Sequence, residues 1–349
     1  MEPLDDAKFS GTKEVAEHLT IEVSNLQPWI DEFVPGAGKI KSVEQFKGGQ
    51  SNPTYKIVTE SKNLVLRRKP PGKLLPSAHA VDREYKVITA LYETDVPVPK
   101  TYGLCENDEI AGTAFFVMDF LDGDLFWNPM IPSLSNQDRT EIYQNKNKTL
   151  ALLHDVDYKK IGLEDYGKPG NYVARQVARW SKQYRASETD DIEAMNNLID
   201  WLPKNIPDDD ETSIVHGDYR LDNMILKNNQ VMGILDWELS TLGHPIADFS
   251  YHCLSWRTQE AFWDQAKLKE LGVPSEKEYM DMYCENTGKD LSKNWEFYMA
   301  FNMFKIAGIL QGILGRVRDG TASSKHAEDR GMMVYPLSEA AWNTIKENF

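Results

Sequence analysis

Val15, Leu19, Leu26, Trp29, Ile30 and Phe33 recur at helical spacing and stop at Pro35-Gly36, which predicts an opening helix. Short apolar alternations follow from Val43 to Thr59 and from Asn63 to Lys69. They are broken by Gly48-Gly49 and by Glu60–Asn63, so three antiparallel strands are expected. A helix is expected over Arg83–Tyr92, with Tyr85, Ile88 and Leu91 on one face, and a strand over Thr113–Leu121, ended by Asp122-Gly123. Beyond that point helical stripes dominate: Thr140–His154, then Val173, Val177, Trp180 and Tyr184, then Ile192, Met195, Ile199 and Leu202. Short strands interrupt them near Ile214-Val215, Met224–Leu226 and Val231–Leu235, and the chain from Ile246 onward is mostly helical pattern. Strands early and helices late predict an α+β fold of two lobes, residues 1–121 and 122–349, with the boundary near Leu121–Asp124. There is no internal repeat, and the acidic run Asp208–Glu211 is the only biased segment.

Composition narrows the classes. The 349 residues suffice for one large domain or two lobes with real cores, and 41% hydrophobic with 27% charged residues is ordinary for a globular chain. A formal charge of -15 argues against nucleic acid as a partner, because phosphate binding needs a basic surface. Cys105, Cys253 and Cys284 form no CxxC pair, so neither a disulfide framework nor a zinc site is expected. The acidic start MEPLDDAKFS lacks signal-peptide regions, and the apolar stretch Met299–Leu314 is too short to span a bilayer. A cytoplasmic protein without a membrane partner is the expectation; the oligomeric state is left open.

The chemistry concentrates in IVHGDYRLDNMIL, residues 214–226. A strand feeding a loop that offers Asp218 and, five residues on, Asn223 can aim both side chains into one cleft. Thirteen residues after Asn223 stands Asp236, directly after the apolar run Met232–Leu235. Amide and carboxylate oxygens suit magnesium, which takes a few protein ligands and completes its shell with phosphate and water. Asp218 could then accept the proton of an attacking hydroxyl. That division of labour is the one phosphoryl transfer requires. The competing reading is that these residues merely end strands.

With those residues in hand, the sequence resembles the aminoglycoside phosphotransferase and choline kinase superfamily, which has the protein-kinase-like fold. HGDYRLDN (216–223) is similar to that family's catalytic loop, and ILDWE (234–238) to its metal-binding strand end. The resemblance implies a bilobal fold with a sheet-rich N-lobe and a helical C-lobe. It implies Asp218 as catalytic base, Asn223 and Asp236 as Mg2+ ligands, and ATP or GTP as co-substrate. His216 would brace the loop and Asp248 would anchor it, both in structural roles. FKGGQSNPTY (46–55) would be the phosphate-covering turn, with Gly48, Gly49, Gln50, Ser51 and Asn52 near the nucleotide. In LVLRRKP (64–70), strand alternation puts Arg67 on the face of Val65 and Arg68 on the face of Leu64 and Leu66. Arg67 then takes the place where the family usually has Lys, with Arg68 and Lys69 as alternatives and Glu84 as ion-pair partner. The hinge contacting the base would be Met118, Asp119, Phe120 and Leu121; Phe46, Ile57 and Val65 would line an adenine slot or belong to the core.

Within the superfamily, Leu66–Tyr85 and the glycine turn resemble the branch found alone in bacteria and fused to acyl-CoA dehydrogenases in animals. That implies a hydroxylated metabolite as acceptor, with hydroxyacyl-CoA as one option and Arg175, Arg179, Arg257, Arg316, Arg318 and Arg330 as candidate phosphate contacts. Aminoglycosides and amino alcohols remain open. A different class of function is a catalytically weak, pseudokinase-like binding module, suggested by Arg67 and the irregular turn. Arg220 and Asp222 have no assigned role at this level.

Overall fold

The computed structural model describes residues 10–48, 52–72, 79–258, 264–322 and 326–349. Its strands are β1 Thr12–Lys13, β2 Ile40–Phe46, β3 Thr54–Thr59, β4 Asn63–Arg68, β5 Thr101–Cys105, β6 Phe115–Asp119, β7 Ser213–Val215, β8 Met224–Lys227, β9 Gln230–Ile234 and β10 Thr241–Gly243. The chain packs as two compact units. The first comprises Met1–Tyr166, Asp218–Ser240 and Leu271–Val273, and the second comprises Gly167–Gly217, Thr241–Glu270 and Pro274–Phe349.

In the first unit, six strands form an antiparallel sheet in the order β1-β2-β3-β4-β6-β5. Period-two alternation decides what each face does. Tyr55 and Ile57 of β3, Leu64 and Leu66 of β4, and Phe115 and Val117 of β6 pack into one core with Leu26, Trp29 and Ile30 of the Val23–Phe33 helix. The intervening residues Thr54, Val65, Arg67, Phe116 and Met118 line a cleft on the other face. A one-residue slip of β4 would exchange these sets, so burial of the leucines fixes where Arg67 points.

Several elements depart from the sequence expectation for identifiable reasons. The opening helix starts at Val23 rather than near Val15, after a 3-10 turn over Glu17–Leu19. The Leu19 carbonyl accepts from Tyr55 Oη at 2.9 Å and Arg68 Nη2 at 3.0 Å, so tertiary partners take the acceptor a longer helix would use. Strand β5 has no clear alternation because Gly103 lies against Trp29 and Phe33; a Cβ there would meet each ring at 3.0 Å. The helix read from Thr140 begins one turn earlier, at Asn136, where Ser135 and Asp138 form a capping box. Gly123 is required by close approach, since a Cβ would lie 2.4 Å from the Leu226 carbonyl. That carbonyl accepts from the Asp124 amide at 2.7 Å.

The second unit is mainly helical. Its central helix, Trp295–Arg318, packs against the helices Tyr172–Ser187, Pro245–Cys253 and Val334–Asn348. At 24 residues it is longer than the apolar stretch read from sequence, and by length and composition it could cross a bilayer. Yet 61% of its most apolar window is buried inside the protein, as a core helix requires.

Candidate active site

Strands β8 and β9 explain how Asn223 and Asp236 meet. They pair through a two-residue turn, Asn228-Asn229, both left-handed at φ 51° and 61°, as a type I′ hairpin demands. Asn223 immediately precedes β8 and Asp236 follows β9, so the hairpin returns the chain to its start. The Leu235 amide donates to the Asn223 carbonyl at 2.8 Å and closes the loop. Asp236 itself is left-handed, φ 62°, an orientation Asp tolerates better than most side chains. Asn223 is buried and donates its amide nitrogen to Asp218, at 2.9 Å to the backbone oxygen and 3.1 Å to Oδ2. Base candidate and amide are thereby one rigid group.

Strand β4 delivers the cation. Arg67 donates Nε to Glu84 at 2.8–3.0 Å and Nη2 to Asp236 at 2.5 Å, with Glu238 at 3.9 Å from the same Nη2. Among the alternatives, Arg68 is buried on the core face, bonded to Tyr55 Oη at 2.7 Å and to the carbonyls of Leu19 and Ala111. Lys69 pairs with Asp82 at 3.7 Å. Only Arg67 of the three lines the cleft.

Burial pushes the Glu84 carboxyl up to about 7 against the pull of Arg67, while Asp236 and Glu238 push it further. Arg67 is held charged because Glu84 and Asp236 outweigh its desolvation. Both directions follow from one cation among three carboxylates: the guanidinium cannot satisfy them all, and the most buried acid keeps its proton longest.

Asn52 sits deeper than the turn reading implied. It is fully buried, its Nδ2 donating to Glu84 at 2.9 Å and to Glu238 at 3.4 Å, and its Oδ1 meets His79 Nδ1 at 3.0 Å. It therefore ties the turn to the Val81–Leu91 helix, and its side chain is committed to protein. Gly48 lines the cleft, whereas Gly49, Gln50 and Ser51 lie outside the described residues. Met118, Asp119, Phe120 and Leu121, expected as the hinge, all line the cleft, whose volume of about 640 Å³ is in the range of small-ligand sites. Phe46 and Phe120 are nearly parallel there, 10° apart with centroids at 6.4 Å. Val65 joins them in the lining, but Ile57 points into the core on the opposite face.

Some contributors carry no sequence signal of their own. Glu238 enters through Asn52 and Arg67, and His79 through Asn52. Arg83 donates to the carbonyls of Tyr166 at 2.8 Å and Ser240 at 3.3 Å, and its guanidinium lies 4.3 Å over the Tyr166 ring. It pins the helix of Glu84 to the segment that follows Asp236.

Among the described residues, no three His, Cys, Asp or Glu side chains converge as a self-contained metal site. Asn223 and Asp236 still fit magnesium, because both offer hard oxygens and that ion fills its other positions with water and phosphate. The Asn223 amide nitrogen is already used by Asp218, so its carbonyl oxygen is the donor left for a cation.

In the second unit, buried Asp248 accepts from the amides of His216 and Gly217, each at 2.9 Å, the residues directly before Asp218 in sequence. Asp248→Ala should therefore cost about 1–3 kcal/mol for each amide left without a partner, read by urea unfolding. A loss below about 0.5 kcal/mol, the level of a neutral surface change, would remove the anchoring role. The same unit disposes of part of the candidate basic set. Arg257 is held by Glu276 and Glu296, both at 2.5 Å. Arg175 donates to the carbonyls of Gly170 and Lys168, and Arg318 to that of Glu188. Arg179, Arg316 and Arg330 are exposed.

Residues 42–283 match the family described as the phosphotransferase enzyme family. The chain belongs to that family. It is 48% identical to a Ralstonia eutropha JMP134 protein assigned to the aminoglycoside phosphotransferases, with a TM-score of 0.86 over 95% of this chain and 100% of that one. More distant phosphotransferases share the fold. A thermostable mutant of aminoglycoside phosphotransferase APH(4)-Ia, in ternary complex with ADP and hygromycin B, gives a TM-score of 0.62 at 11% identity, covering 91% of this chain and 98% of that one. Choline kinase of Cryptosporidium parvum gives 0.61 at 13%, covering 93% of each. The antiparallel sheet followed by the helical part is thus the protein-kinase-like fold. Among curated proteins, acyl-CoA dehydrogenase family member 10 of Mus musculus is 45% identical over 87% of this chain, and family member 11 of Homo sapiens 38% over 97%. The chain spans 29% and 45% of those relatives' lengths.

Proposed function

We propose that this chain transfers the γ-phosphate of ATP or GTP to a hydroxyl of a small metabolite. The observation that carries the reading is the closed group Asp218–Asn223–Asp236, in which the β8–β9 hairpin brings a carboxylate base and two oxygen donors into one constellation. Asp218 takes the acceptor proton, and Asn223 and Asp236 would hold Mg2+. That ion, when bound, neutralises charge on the β- and γ-phosphate oxygens. Arg67 orients Asp236 and Glu84, and the hinge Met118–Leu121 receives the base. The acceptor is a hydroxylated metabolite. Hydroxyacyl-CoA is the first to test, because the curated relatives are named for acyl-CoA dehydrogenases.

The test is a thermal-shift and calorimetric titration with Mg·ATP and Mg·GTP, followed by a turnover screen over hydroxyacyl-CoAs, aminoglycosides and amino alcohols. Ligand at about 100 times its Kd should add about 2.7 kcal/mol of stability. Absence of magnesium-dependent nucleotide binding overturns the reading. Nucleotide binding without turnover of any acceptor would favour a pseudokinase-like module, for which the Arg67–Asp236 contact is the motivating observation.

A further inference from the structure

The residues lining the cleft are short of positive charge. Among the described ones, the only cations are Arg67 and Arg220, facing carboxylates that include Asp124, Asp222 and Asp236. Arg67 is nearly consumed: its side chain is 9% exposed, Nε and Nη2 are bonded to carboxylates, and Nη1 lies 3.4 Å from Thr54 Oγ1. Arg220 is built differently. Its side chain is 57% exposed, Nε lies 3.3 Å from Asp218 Oδ1, and Nη2 donates to Asp222 Oδ2 at 2.9 Å. It therefore rests against the proposed base and, like Asn223, is one of the residues lining the cleft.

We infer that Arg220 is a catalytic residue that leaves Asp218 to hold the γ-phosphoryl group in the transition state. The inference rests on the phosphotransfer reading and adds to it a side-chain cation for the group in flight. In the step, the acceptor hydroxyl gives its proton to the Asp218 carboxylate as its oxygen bonds to the γ-phosphorus. The bond from that phosphorus to the β,γ-bridging oxygen breaks, and its electron pair leaves on the nucleoside diphosphate. Arg220 donates N–H groups to the oxygens of the group in flight, where charge must be met by fixed donors. Asp222, 2.9 Å from Arg220 Nη2, serves as the resting partner.

The test uses Mg·ADP with and without aluminium fluoride, which needs no knowledge of the acceptor. Wild type should bind the fluoride complex at least about tenfold more tightly than ADP alone, as a transition-state mimic does. Arg220→Ala should keep ADP affinity within about threefold and lose that tightening, with nucleotide hydrolysis falling about 10²- to 10³-fold, the usual effect of one such donor. Added guanidinium ion should restore part of the lost tightening. Asp222→Ala, which removes only the resting partner, should keep the tightening within about threefold. Tightening intact in Arg220→Ala, or lost equally in Asp222→Ala, overturns the inference. So does a wild type that binds Mg·ADP without tightening, whereas a wild type that binds no nucleotide overturns the underlying phosphotransfer reading as well.

Discussion

Asp218→Asn should lower phosphoryl transfer about 10²- to 10⁴-fold, the range lost with a general base, while nucleotide affinity stays within about threefold. The substitution is close to isosteric and removes the charge and one of the two acceptor oxygens. Asn223 still donates to the backbone oxygen of residue 218 at 2.9 Å, so the turn that positions the metal donors keeps its main tie. Asp248 still holds the amides of His216 and Gly217. What disappears is a carboxylate able to take a proton, and with it the Oδ1 contact of Arg220. Steady-state transfer to the acceptor found by screening, paired with calorimetric ADP titration, separates the outcomes. A fall in kcat and kcat/KM together, with ADP binding intact, is the expected pattern for an interaction made only in the transition state. Transfer above about a tenth of the wild-type rate would strip Asp218 of the role.

Much of this site could be read from sequence because it is local. Asn223 and Asp236 are joined by a hairpin, so a spacing along the chain becomes a distance in space. Arg67 was legible for a similar reason: strand alternation sends it opposite Leu64 and Leu66, and those leucines had to be buried. The same rule, applied to β3, places Ile57 with Tyr55 in the core rather than in the cleft. Illegible parts depend on contacts distant in sequence. Asn52 looks like a turn residue until Glu84 and Glu238 claim its amide. Arg83 looks like an exposed helix charge until Tyr166 and Ser240 approach it. Strand β5 was hidden because glycine, which lets Trp29 and Phe33 pack close, removes the alternation that would announce a strand. Element boundaries failed where side chains compete for backbone groups, as Tyr55 and Arg68 do at Leu19.

Arg67→Met should cost about 3–5 kcal/mol of folding stability at neutral pH, the penalty for stranding a buried ionic partner. The reason lies less in the lost attraction than in what remains: Glu84, 1% exposed, with Asp236 and Glu238 nearby and no guanidinium among them. Glu84 responds by holding its proton. Its carboxyl already stands near 7 with Arg67 present, against an ordinary 4.5, and loss of the cation raises it further. An acid raised in the folded state binds more protons there than in the unfolded chain. Its stabilising contribution is therefore complete below the unfolded value and is lost as pH rises through the folded one. Arg67→Met should accordingly lose less at pH 6 than at pH 8, as read by urea unfolding at both. The double variant Arg67→Met with Glu84→Gln should recover most of the loss and flatten the pH dependence, since a neutral amide needs no counter-ion. Arg67→Lys should fall between, at about 1–3 kcal/mol, because one ammonium cannot serve Glu84 and Asp236 as a fork does. A pH-independent loss below about 1 kcal/mol in Arg67→Met would show that Arg67 is not the cation on which this group of acids depends.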